Sequence, residues 1–271
     1  MKTVFLKLVA LLALFFGTWF LLRQVDWVTI FHVKQLTKTT EEKLGDFIWE
    51  TQGASENEIK SKRIVNKIDS IITRICNAND IDRSRIKLHV ISSKNINAFA
   101  LPDRHLIVYT QLILDCKNDE ELSGVLAHEI AHMELNHVMK KITQEVGLAQ
   151  LLSVTNGKDM KIAKELAKLL SSSSFSRSLE QEADLKACDY LINADINPTG
   201  LASFLFRLST SEPSIQSHLT WVSSHPESVE RSTYITEQVK EREKEIHEKP
   251  VLTAASWKKL QEDIKAENDE Q

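Results

Sequence analysis

Residues that break or bend helices are scarce in this chain: seven glycines and five prolines occur among 271 residues. That scarcity argues for a helix-rich fold. Cysteine is scarcer still. Cys76, Cys116 and Cys188 are too few and too scattered for a disulfide scaffold or a Cys-based zinc site. At most one pair could bridge, and buried free thiols are the expectation. There is no excess of basic charge: the formal net charge is −4 and the pI about 6.2, so composition gives no support for a nucleic-acid partner. Neither a G-x-S-x-G elbow nor a P-loop occurs. No internal repeat or low-complexity tract stands out. A hydrophobic content of 42% and a charged content of 27% fit a folded chain with one sizeable core and room for an appendage.

One long apolar run is present, at the N-terminus. Lys2 and Lys7 precede 15 uncharged residues, Leu8 to Leu22, closed by Arg23. The run is long for a secretory core and short for a full span, but Val4-Phe5-Leu6 lengthens it if Lys7 reaches the interface. Ala10 and Ala13 lie inside the run, so no cleavage site precedes a polar start. The expectation is an uncleaved signal anchor, with a cleaved signal peptide as the alternative. Positive charge before the run keeps the N-terminus in the cytoplasm and places the rest outside it, on the periplasmic side. Trp27 suits the interface, and Phe47, Ile48 and Trp49 are candidates to dock on the folded domain.

The chemistry lies in Val125-Leu126-Ala127-His128-Glu129-Ile130-Ala131-His132, which contains H-E-x-x-H. Residues four apart share one face of a helix, so His128 and His132 can offer two imidazoles to one metal ion, with Glu129 within reach of a bound water. Zinc suits such ligands. Asn118 or Asp119 can cap the helix, Asp119, Glu120 and Glu121 favour its first turn, and Leu122, Val125, Leu126, Ile130 and Met133 predict one core-facing stripe. Around it, Ile64, Ile68, Ile71, Ile72 and Ile75 mark an amphipathic helix. Strands are expected at 86–90, 97–101 and 105–110, with a turn at Pro102–Arg104. Further helices are expected near 141–154, 158–171, 178–193, 198–208 and 226–245, with Ser178-x-x-Gln181 as a capping box. Trp257 and Leu260 are expected to anchor the charged tail.

A third ligand is sought on the helix that carries Ser178-Leu179-Glu180-Gln181-Glu182-Ala183-Asp184. Glu180 and Asp184 share one face, so Glu180 can bind the metal while Asp184 accepts the second N–H of a ligand histidine. Glu182 is offset and weaker. His137, five residues past His132, does not fit the metzincin spacing and reads as structural.

Taken together, Asn97-Ala98-Phe99-Ala100-Leu101-Pro102, H-E-I-A-H, Ser176-Arg177 and E-Q-E-A-D resemble the HtpX and BepA type of metallopeptidase, family forty-eight, which is related to the CAAX prenyl proteases and to mitochondrial quality-control proteases. The order and spacing match over about residues 56–235. The resemblance implies one zinc ion per chain held by His128, His132 and Glu180, with Glu129 as general base and Asp184 behind the ligands. Ser224-His225-Pro226 and Arg231 resemble the family's His-Pro segment. His225 would polarise the scissile carbonyl, or bind zinc as a fourth ligand that keeps the site latent, or merely start a helix; Arg231 is a second candidate for the oxyanion. Asn97, Ala98, Phe99 and Ala100 are candidates for pairing with an extended substrate.

The expected fold is α+β and mostly helical: a gluzincin-like zinc peptidase domain with a small antiparallel sheet, preceded by an N-terminal membrane helix. Its expected parts are a signal segment (1–23), a juxtamembrane region (24–55), the peptidase domain (56–240) and a charged tail (241–271). The chain is most similar to the small, singly anchored or exported members, since it has no further apolar run and little room for a helical-repeat domain. The expected function is zinc endopeptidase action on unfolded, misfolded or membrane-associated proteins in envelope quality control. The alternative is a membrane-tethered, chaperone-like zinc protein with little proteolysis.

Overall fold

The computed structural model describes residues 12, 17, 33–51, 57–146, 160–210, 221, 224–226 and 228–269. Apart from Leu12 and Gly17, the expected N-terminal anchor lies outside the described residues, as do Trp27 and the end of the helix expected to reach 154. Among the described residues, no helix is long and apolar enough to cross a membrane. Contacts divide the chain into two units, Met1–Glu41 and Glu42–Gln271. In the first, the described residues are helical: Leu12, Gly17 and 33–41, the last opening helix α1 (Val33–Thr51).

The second unit is mostly helical. Helix α2 (Lys62–Ala78) buries the five isoleucines of its predicted face. Three strands follow: β1 (Lys87–Ile91), β2 (Ala98–Leu101) and β3 (His105–Tyr109). Their order is β1-β3-β2, with β2 antiparallel to β3 and β1 parallel to it. The sheet is therefore mixed, not antiparallel as expected. The β2–β3 hairpin follows from its turn, where Asp103 and Arg104 take φ values of 57° and 58°. The partner of β1 is set by tertiary packing across the sheet, which local sequence does not encode.

A short helix α3 (Thr110–Asp115) leads into α4 (Asp119–Glu134), the H-E-x-x-H helix. Asn118 caps it: its Oδ1 accepts the Glu121 N–H at 2.9 Å. Asp119 points elsewhere and accepts the N–H groups of Val251 and Leu252, both at 2.9 Å. Instead of one buried stripe, α4 is buried on nearly every side, polar residues included. After α5 (His137–Val146) come α6 (Met160–Ser172), α7 (Arg177–Asn193), α8 (Thr199–Ser209), α9 (Ser228–Glu241) and α10 (Ala254–Asp269). Ser176, not Ser178, caps α7; its Oγ accepts the Leu179 N–H. Helices α2, α7 and α8 and strand β2 all pack on α4. Helix α10 buries Trp257, Leu260 and Ile264, and Gln261 donates to the Ile113 and Cys116 carbonyls, which the end of α3 leaves without helical partners.

Two glycines set how closely α4 and α8 approach. A Cβ on Gly200 would lie 2.4 Å from the Glu120 carbonyl oxygen, and one on Gly124 would lie 2.8 Å from the Leu201 backbone. We expect Gly124→Ala and Gly200→Ala each to destabilise the fold by about 1–3 kcal/mol. In the double variant the losses should not add, because both enlarge one contact; denaturant titration reads both outcomes.

At the sheet's β1 edge, Lys87 Nζ lies 2.6 Å from both Asp46 Oδ1 and Asp103 Oδ2, so these two acids are answered by the chain's own cation. His105 is buried beside Lys87 and His89, and burial, then Lys87, push its pKa down to about 4 from 6.5. The folded state therefore binds fewer protons than the unfolded chain between those values. The stability this group supports is complete above about pH 6.5 and lost as pH falls toward 4. Thermal melts across that window should fall less steeply for His105→Asn than for the wild type.

Candidate metal centre

Helix α4 sets His128 and His132 one turn apart with both Nε2 atoms facing inward, 3.0 Å from each other. Helix α7 brings Glu180 to the same point: Oε2 is 3.6 Å from His128 Nε2 and Oε1 is 3.5 Å from His132 Nε2. His225 completes the group, with Nδ1 at 2.9 Å from Glu180 Oε1 and 3.3 Å from His128 Nε2. One ligand atom from each of these four residues lies within 4.8 Å of the other three, and all four are buried. Three imidazole nitrogens and a carboxylate oxygen form a donor set that fits tetrahedral zinc.

The surroundings hold His128, His132 and Glu180 in the form a metal requires. His128 Nδ1 lies 2.9 Å from Asp184 Oδ1. Asp184 in turn accepts from Arg231 through Nε and Nη2, each at 2.7 Å, and from the Tyr234 hydroxyl. Arg231 Nη1 is 2.6 Å from Glu180 Oε2. Helix α9 supplies both Arg231 and Tyr234, so one face of it braces Glu180 and Asp184 of α7. Burial alone would raise the Glu180 and Asp184 pKa values, but the His225 and Arg231 charges outweigh it for Glu180, as Arg231 and His128 do for Asp184, and both carboxyls stay well below the usual range. Burial, then His128, lower the His132 pKa to about 3, which keeps its imidazole neutral.

Glu129 is 1% exposed and lies on the other side of His225, with Oε1 at 3.3 Å from His225 Nε2. The indole N–H of Trp221 donates to the same oxygen at 3.4 Å. Burial raises the Glu129 pKa, yet His225 brings it below its ordinary value. Burial opposes charge on His225, but Glu180 and Glu129 overcome that and raise its pKa to about 9.

Sequence reasoning did not find several neighbours. Phe175 stacks on His132 with centroids 4.2 Å apart, and Lys141 lies over its ring. Trp221 stacks on His225 at 4.6 Å. Trp221 lies 92 positions after Glu129, and no spacing rule links them. His137 and Glu182, set aside or ranked low from the sequence, line up behind His132: His137 Nδ1 is 3.0 Å from His132 Nδ1, and His137 Nε2 is 3.2 Å from Glu182 Oε2. Asn97, Ala98, Phe99 and Ala100 lie in and just before β2, at the edge of the sheet, and are buried where α4 and α6 pack. Asn97 Nδ2 donates to the Ser171 carbonyl at 3.2 Å. The three cysteines are free and buried, and burial pushes the Cys76 thiol up to about 11 and the Cys188 thiol up to about 12.

Paired imidazoles from one helix, a carboxylate from a second and an acid beside them make this a zinc metallopeptidase of the H-E-x-x-H class. The model of Peptidase family M48 matches residues 63–239, and the chain belongs to that family. It is similar to Metalloprotease LoiP of Escherichia coli (strain K12), 30% identical over 62% of this chain and 69% of LoiP. It is also similar to Metalloprotease YcaL of the same organism, 27% identical over 69% of this chain and 77% of YcaL. Beta-barrel assembly-enhancing protease of Yersinia pestis is 26% identical over 68% of this chain, which spans only 40% of that relative.

Arg231 is the buried cation shared by Asp184 and Glu180. We expect Arg231→Met to cost about 3–5 kcal/mol, because it removes the buried cation that two carboxylates share. Urea unfolding of wild type and variant measures it.

Proposed function

We propose that His128, His132 and Glu180 hold one zinc ion, that Glu129 is the general base, and that the chain is an endopeptidase. The observation that carries this reading is the convergence of both Nε2 atoms and the Glu180 carboxylate at one buried point, with Glu129 alongside. Zinc bound there would lower the pKa of a water to about 7 and polarise the scissile carbonyl. Glu129 takes the proton of the attacking water and passes it to the leaving amine. Asp184 fixes His128 by its Nδ1 side. Arg231 faces Glu180 and Asp184, so its part is to position them, not to meet an oxyanion.

His225 takes the latent role. Its Nδ1 belongs to the ligand cluster, and a fourth protein ligand fills the position a catalytic zinc keeps for water. Its Nε2 contacts Glu129, so the same ring also covers the base. Activity then requires His225 and the stacked Trp221 to move aside. An extended substrate would pair along β2 near Asn97–Ala100, once that edge is uncovered.

For substrates, the reading is unfolded, misfolded or membrane-associated proteins of the cell envelope, with the peptidase domain tethered outside the cytoplasm by the N-terminal apolar run. Support comes from the positively charged start of that run and from the name of the Yersinia pestis relative, a protease that enhances β-barrel assembly.

Glu129→Gln should keep its zinc and lose about 10²–10⁴-fold in casein cleavage. His225→Ala should cleave casein faster than wild type. Undiminished cleavage by Glu129→Gln contradicts the assignment of the base. A slower His225→Ala contradicts latency and makes His225 a catalytic group. A zinc-holding chaperone instead predicts client binding in every variant and cleavage in none.

A further inference from the structure

We propose that His137 and Glu182 form a positioning relay that fixes which nitrogen of His132 faces the metal. The proposal rests on the zinc reading of the centre.

Asn136 ends α4 in the left-handed region, at φ 55°, and its N–H bonds to the Met133 carbonyl. That reversal returns the chain, so His137 at the start of α5 lies against the Nδ1 side of His132 although its sequence spacing is not helical. Both rings are fully buried, and Phe175 stacks on one face of His132.

Three contacts in a row then determine the protons. Glu182 is an acceptor only, so His137 Nε2 at 3.2 Å satisfies it by carrying a hydrogen. Neutral His137 therefore has a bare Nδ1, which at 3.0 Å accepts a hydrogen from His132 Nδ1. With its proton on Nδ1, His132 presents a bare Nε2 to His128 and Glu180, which is the atom a metal needs. The opposite tautomers would set a bare His137 Nε2 against the Glu182 carboxylate, acceptor against acceptor. Glu182 thus acts at a distance, through His137, on a ligand that neither residue resembles in sequence spacing. Asp184 supports His128 separately, so the two imidazoles of α4 have independent backing.

The side chain of Glu182 is 51% exposed and that of His137 is fully buried, so the inner residue should matter more. The test is zinc affinity of the full chain, read by competition with a chromogenic chelator, alongside the melting temperature of the stripped protein. His137→Leu should weaken zinc binding by about 10–100-fold. Glu182→Gln should weaken it severalfold. His137→Asn should fall between His137→Leu and wild type, because its Oδ1 can take the acceptor place of Nδ1. A packing role alone would lower the melting temperature of both His137 variants without ranking their zinc affinities in this way.

Wild-type affinity in His137→Leu or in Glu182→Gln overturns the relay, as do equal losses in His137→Leu and His137→Asn. If His137→Leu does not fold, Glu182→Gln and His137→Asn decide by the same criteria. His132→Ala and Glu180→Ala separate this from the parent reading. Unchanged zinc binding in those variants removes the centre itself, whereas their loss of zinc with unaffected Glu182→Gln removes the relay alone.

Discussion

Glu129, Glu180 and Asp184 are carboxylates with almost no access to solvent, and the site depends on how their charge is balanced. Unpaired, each would be driven toward its neutral form, and none could then serve as ligand, base or brace. Arg231 bridges two of them and His225 bridges two, with Glu180 common to both pairs. Three negative charges thus meet two positive ones. If His225 became a neutral ligand, a divalent ion would bring the set to neutrality, which is the electrostatic reason a metal belongs in this position.

The fold delivers that set by burying α4 on nearly all sides. A helix whose two ligands and base all face protein needs close neighbours, and Gly124 and Gly200 allow α8 to come against it at backbone distance. Helix α7 carries Glu180 and Asp184 at one spacing, and α9 answers both with Arg231 and Tyr234. The ion set and the helix packing are therefore one feature: loosening the packing would hydrate the ions, and unbalancing the ions would drive the helices apart.

How much of this could be read in advance differs by residue. His128 and His132, and likewise Glu180 and Asp184, were legible because helical periodicity puts each pair on one face; Glu129 came from the H-E-x-x-H motif, and the link between the two helices from likeness to a family. His225 and Arg231 came only from likeness to a family, since nothing local marks a His-Pro pair as part of a buried cluster. Trp221, Phe175 and Tyr234 gave no signal, for their roles arise where distant segments meet. His137 looked structural because, five residues past His132, it does not fit the metzincin third-ligand spacing; the left-handed Asn136 that brings it back against His132 is invisible to periodicity. In the sheet, strand positions were legible from alternation and the β2–β3 pairing from its turn, whereas the parallel place of β1 depends on contacts across β3. Ser176 displaced Ser178 as the cap of α7 by two residues, a shift that only the backbone of the preceding segment determines.

Zinc K-edge X-ray absorption on the purified full chain tests the central claim most directly. The account predicts one zinc per chain in a shell of nitrogen and oxygen at about 2.0–2.1 Å, with scattering from three imidazoles. A sulfur shell at about 2.3 Å, or zinc far below one per chain, would contradict it.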